Sequence, residues 1–227
     1  PAFNALDRVS VRMERSNVDF IAGEFSRAAQ SYAAAQADCE QQLGPANEEC
    51  GSLRSRRAIA LLVMGELTAV QTLLPPIARQ AEETSSPRRQ SESAVLAYRI
   101  AAAGGELEGR PELRETVVRL GTSGQEVRQY EVLKVSALMA LAEASLRQRK
   151  PEAALPWLDQ AAARANLPGQ PIDRRTMGRV ALLRGVAWQI RGDHSAALRY
   201  LREAQSAYAE SAGSDSPFTL LFALNQF

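Results

Sequence analysis

Apolar residues recur three and four positions apart over ten stretches, roughly 2–21, 24–43, 47–64, 67–84, 87–103, 111–120, 125–148, 151–166, 173–191 and 194–211. That period is the stripe of an amphipathic α-helix, so each stretch predicts one. Alanine-rich runs at 28–37 and 161–165 strengthen the prediction, because alanine loses no side-chain entropy in a helix. Long alternations of Val, Ile and Thr are missing, and an all-α chain is expected. Gly44-Pro45, Ser85-Ser86-Pro87, Gly121 to Gly124, Pro168-Gly169 and Gly213 to Pro217 separate the pairs. Glycine permits positive φ at a helix end, and proline starts a helix more readily than it continues one.

The stretches repeat in pairs. Residues 192–204 align with 23–35, and 149–161 fit the same frame, which sets a corner residue at Gly23, Gly65, Gly104, Arg149 and Gly192. The intervals of 42, 39, 45 and 43 residues each hold one helical hairpin. Five hairpins follow, about 2–43, 47–84, 87–120, 125–166 and 173–211, with a C-terminal helix at about 217–227, all in a single superhelical domain over 1–227. Pro75-Pro76 should kink or interrupt its helix through a lost hydrogen bond and ring clash. The third repeat is irregular: Gly104-Gly105 and residues 106–110 precede a shortened second helix from Pro111.

These residues resemble the tetratricopeptide repeat family, whose hairpin carries a small residue within its first helix, glycine at the corner, and small, bulky and small residues along its second. The last repeat supplies Gly185, Trp188, Gly192, Ala197, Leu201 and Ala204, and the first supplies Gly23, Ala28, Tyr32 and Ala35. Looser matches are Ala58, Leu61, Gly65, Val70 and Leu74 in the second repeat and Ala142, Ala154, Leu158 and Ala161 in the fourth. The long spacing and connectors such as Leu43-Gly44-Pro45 are similar to a subtype common in bacterial regulators, where repeats accompany kinases or winged-helix activators. The resemblance implies a right-handed α-solenoid of about five hairpins whose first helices line a concave wall. A scaffold or sensory module that binds a protein or peptide, without a cofactor and without catalysis, is the function it implies.

On that frame the concave wall comprises Met13, Asn17, Phe20, Ser52, Ser55, Ile59, Tyr98, Ser136, Met139, Glu143, Arg179, Leu182, Val186 and Gln189. Such a mixed apolar and hydrogen-bonding surface suits an extended or helical peptide. The alternative for each is packing between helices. Chaperone-tail receptors of this family hold a terminal carboxylate with several lysines and asparagines, and only Asn17 fits that pattern. A second function class is homo-oligomerisation, with the apolar tail 218–227 docking onto another copy.

Charge is nearly balanced, 27 basic against 26 acidic residues, which gives no broad field for nucleic acid or an anionic membrane. Arg54-Ser55-Arg56-Arg57, Arg88-Arg89 and Arg174-Arg175 read as solvated helix starts beside Glu48, Glu49 and Asp173. No apolar run approaches the roughly 18 to 20 residues that span a bilayer, and the absence of an initiator Met before Pro1 leaves room for an upstream anchor or domain.

Cys39 and Cys50 flank the first inter-repeat turn on antiparallel helices, so they form either a disulfide or two small buried thiols. A bridge implies an oxidising compartment such as the bacterial periplasm, and free thiols fit the cytoplasm. One histidine and two cysteines at this spacing do not make a metal site. His194 reads as a ring packed between helices, and no Ser-His-Asp or Cys-His arrangement accompanies it. An enzyme would need a pocket in the third repeat built on Glu106, Glu108 and Glu112.

Overall fold

The computed structural model describes residues 5–83, 87–122, 131–166 and 174–212, and these are all-helical. Ten α-helices follow one another: α1 Ala5–Ile21, α2 Phe25–Leu43, α3 Glu48–Val63, α4 Leu67–Glu83, α5 Pro87–Ala103, α6 Pro111–Thr122, α7 Glu131–Arg147, α8 Pro151–Ala165, α9 Arg174–Arg191 and α10 His194–Ala212. A single 3-10 turn, Leu107–Gly109, lies between α5 and α6. The tail 217–227, and with it the expected C-terminal helix and docking segment, lies outside the described residues.

Five of the described helix ends turn by one device. After α1, α3, α5, α7 and α9 the chain enters the left-handed region at Gly23, Gly65, Gly105, Arg149 and Gly192, with φ of 83°, 77°, 74°, 56° and 90°. The next N–H then reaches back five residues: Glu24 to Asp19 (3.1 Å), Glu66 to Leu61 (3.0 Å), Glu106 to Ala101 (2.8 Å), Lys150 to Ser145 (2.9 Å) and Asp193 to Trp188 (3.0 Å). This Schellman closure satisfies carbonyls that the helix end would otherwise orphan. The third corner is therefore Gly105, not Gly104, whose N–H still makes an ordinary helical bond to the Ile100 carbonyl at 2.9 Å.

Arg149 alone fills this position with a side chain, at a steric cost that glycine avoids. Arg149→Gly is expected to raise stability by about 0.5 to 1 kcal/mol. A higher urea midpoint, read from tryptophan fluorescence, checks it.

Pro75-Pro76 does not interrupt its helix, and α4 runs through both prolines. Each removes a donor to the carbonyl four residues back, at Gln71 and Thr72, and both of those residues are exposed. A carbonyl on an exposed side can bond to water in place of the missing donor, which is how a helix tolerates the loss.

The described chain divides into two compact units, with the division inside α5 after Leu96. In the first, α2 packs on α1 and on α3, and α4 on α3. Its core gathers Val9, Ala28, Tyr32, Ala35, Leu53 and Ala60 around Cys39 and Cys50. Those two sulfurs are bonded, with the Cα atoms 5.5 Å apart, and both residues are fully buried.

In the second unit α7 to α10 each pack on the preceding helix, and α7 also meets α9. Its main core joins Leu138, Ala142 and Leu146 of α7 to Ala154, Leu158 and Ala161 of α8 and Val180, Leu183 and Ala187 of α9. Residues on every side of α7 are buried, including the charged Glu131, Lys134 and Glu143, which explains why its apolar positions form no single narrow stripe. Close approach of α9 and α10 depends on Gly185, where an added Cβ would sit 2.8 Å from Leu201.

Candidate protein-binding face

The odd-numbered helices are tied to one another by arginines. In the first unit, Arg56 Nη1 of α3 donates to Asn17 Oδ1 of α1 at 2.9 Å, and Arg89 Nη2 at the start of α5 donates to Ser52 Oγ of α3 at 2.8 Å. Asn17 is further occupied: its Oδ1 accepts from the Tyr32 hydroxyl at 2.6 Å and its Nδ2 donates to Glu14 at 3.2 Å. Burial pushes the Tyr32 hydroxyl pKa up, against the nearby Arg56 guanidinium. Asn17 and Ser52 thus hold helices together, while Ser55 and Ile59 remain half-buried beside them. Met13 and Phe20 lie against the core of this unit.

In the second unit the tie is ionic. Glu143 of α7 lies between Arg179 of α9, with Nη2 to Oε1 2.7 Å, and Arg99 of α5, with Nε to Oε2 3.3 Å. Arg99 Nη2 also reaches the Ser136 carbonyl at 3.5 Å. Burial alone would raise the Glu143 carboxyl, but Arg179 and Arg99 hold it below the ordinary carboxylate value. Burial lowers Arg99 instead, against the attraction of Glu143. Arg147, one turn beyond Glu143, is exposed and adds a third guanidinium to the field at that carboxylate.

Of the expected wall residues, Glu143 and Arg179 meet directly, and Ser136 joins them through its backbone. Tyr98, Met139, Leu182 and Val186 are buried. Met139 and Val186 belong to the main core, and Leu182 packs with Ala181, Ala204 and Tyr208. Gln189 is exposed near the end of α9. Arg56 and Arg89, expected as solvated helix starts, instead tie helices together, and sequence reasoning passed over Arg99 and Arg147, since arginine carries no period of its own.

Several side chains lie elsewhere than expected. Arg54 is buried, not solvated, and pairs with Glu40 at 2.7 Å. Burial would raise the Glu40 carboxyl, yet hydrogen bonds from Gln36 and Arg54 keep it low. Arg88 and Arg89 pair with Glu92, at 2.9 and 3.2 Å, and Arg174 pairs with Glu210 at 3.2 Å; Asp173 lies outside the described residues. His194 is exposed, because it opens α10 at a corner where the Asp193 side chain accepts from the Ala196 N–H at 2.9 Å. Glu106, Glu108 and Glu112 are all exposed, and Glu106 pairs with Arg110 at 3.0 Å. A second buried cluster went unforeseen: Glu131 holds Lys134 at 2.6 Å and Arg164 of α8 at 3.2 Å. None of the described helices is long and apolar enough to cross a membrane.

Compared with known proteins, the chain matches no family model and no curated protein.

Proposed function

We propose that the chain is a tetratricopeptide-type repeat array, a right-handed α-solenoid, that holds another polypeptide against the face of its odd-numbered helices. The observation that carries this reading is the set of arginine ties. The hydrogen-bonded partners that join one first helix to the next are separated by 39, 37, 37 and 36 residues, and the Arg99–Glu143 pair spans a little more than one repeat. Ties of that period support a stack of hairpins with a polar, half-buried face along the first helices. The buried Cys39–Cys50 bridge supports an oxidising compartment, such as the bacterial periplasm or an extracellular face. Resemblance to the longer repeat subtype supports a scaffold or sensory role within a larger bacterial regulator.

The test is cross-linking in the native host with a photoreactive phenylalanine placed in the full chain. Positions Ile59 and Ser136 on the first-helix face should give discrete adducts, and Gln205 on the exposed side of α10 should give none. Indistinguishable adduct patterns from both faces would remove the reading.

A further inference from the structure

We propose that the arginine cluster around Glu143 receives an acidic segment of the guest polypeptide, with an aspartate or glutamate side chain meeting Arg147 and the exposed edge of Arg179. This rests on the peptide-capture reading, and it names the chemistry that the captured chain must carry.

The case begins with unequal charge. Three guanidiniums, Arg99, Arg147 and Arg179, act on the Glu143 carboxylate. Both carboxylate oxygens are already engaged, Oε1 by Arg179 and Oε2 by Arg99. Neither Arg99 nor Arg147 reaches a second carboxylate among the described residues, so the cluster keeps an excess of positive charge.

Donor capacity is also left over. A guanidinium carries five donors in a fixed fork, and those of Arg147 face water. Arg147 makes no ion pair among the described residues. Unlike the other two arginines, it stands in the open, one turn along the same helix.

Access and preorganisation complete the argument. The Arg179 side chain is 24% exposed and that of Arg99 13%, so a guest can touch the first without either having to leave Glu143. Partial burial lowers the effective dielectric around the cluster, which makes an added anion worth more there than on open surface. Glu143 fixes the Arg179 fork in advance, so a guest carboxylate that meets it finds a guanidinium whose entropy is already lost. The half-buried Ser136 lies on the same side of α7, two turns before Glu143, where the guest backbone would pass.

The experiment uses the full oxidised chain and two labelled peptides with blocked ends, a Glu-Ala repeat and its Gln-Ala counterpart, followed by fluorescence anisotropy. The Glu-Ala peptide should bind at least about tenfold more tightly, and added salt should weaken it. Arg147→Gln, at an exposed position where folding is not in question, should weaken it by roughly threefold or more. Arg179→Gln should cost about tenfold or more, provided circular dichroism shows the fold intact. Equal binding of both peptides, abolished by Ser136→Trp, would overturn the acidic preference while leaving peptide capture standing. Binding of neither peptide also overturns it, and capture then depends on the cross-linking result alone. Glu-Ala binding that Arg147→Gln and Arg179→Gln both leave unchanged would place the acidic site elsewhere and defeat the proposal.

Discussion

Glu143→Gln should destabilise the second unit by about 3 to 5 kcal/mol. The substitution keeps the shape of the side chain and removes only its charge. Two guanidiniums then share a site with one-tenth of the side chain open to solvent and no anion between them. Removing one partner of a buried pair costs far more than the pair contributes, because the remaining charge keeps its desolvation penalty. Trp157 of α8 and Trp188 of α9 are the chain's two tryptophans, so fluorescence during urea unfolding reports this unit directly. A loss under about 1 kcal/mol would show that water reaches the cluster freely.

The pH dependence has a definite sign. The folded carboxyl of Glu143 is held below its ordinary value by Arg179 and Arg99, which outweigh burial. Its stabilisation is therefore complete above the unfolded pKa, about 4.3, and is lost as pH falls through the lower folded value. Acid unfolding of the second unit should be correspondingly flatter in Glu143→Gln.

The other large effect belongs to the first unit. Replacing both Cys39 and Cys50 with alanine should cost about 3 kcal/mol, since the bridge closes a short loop, with a sequence separation of 11, and restricts the unfolded chain. The first unit contains no tryptophan, so circular dichroism must report it. A transition at lower urea concentration for this unit, with the fluorescence transition unmoved, is the expected pattern. Thiol titration of the denatured wild type should find no free thiol, because the chain has only these two cysteines.

The helices were legible almost residue by residue, and the reason is local. Apolar spacing marks each helix, and a glycine in the left-handed region ends four of the five first helices. Where the corner is Arg149, only the register of the repeat pointed to it. Two adjacent glycines at 104 and 105 both satisfied the pattern, and the choice between them depended on one backbone bond to Ile100. The interruption expected at Pro75-Pro76 is absent because propensity knows nothing of which side of a helix faces water.

The face was legible only in part. Asn17, Ser52, Glu143 and Arg179 fall where the odd helices meet, but sequence could not show that these groups satisfy one another first. Arg99 and Glu143 are 44 residues apart, with more than a whole hairpin between them, and nothing in either neighbourhood announces the other. Buried pairing of this kind depends on tertiary packing, which local pattern does not encode.

Helix α7 buries residues on every side once its neighbours are in place, with little of its surface left to water. As the chain is synthesised, α8 and α9 must still emerge after Arg147, and α9 ends at Arg191. At roughly 5 to 20 residues per second, that gap leaves a greasy nascent helix bare for about 2 to 9 s. The stretch 131–147 is thus one that a ribosome-associated chaperone would grip during that interval.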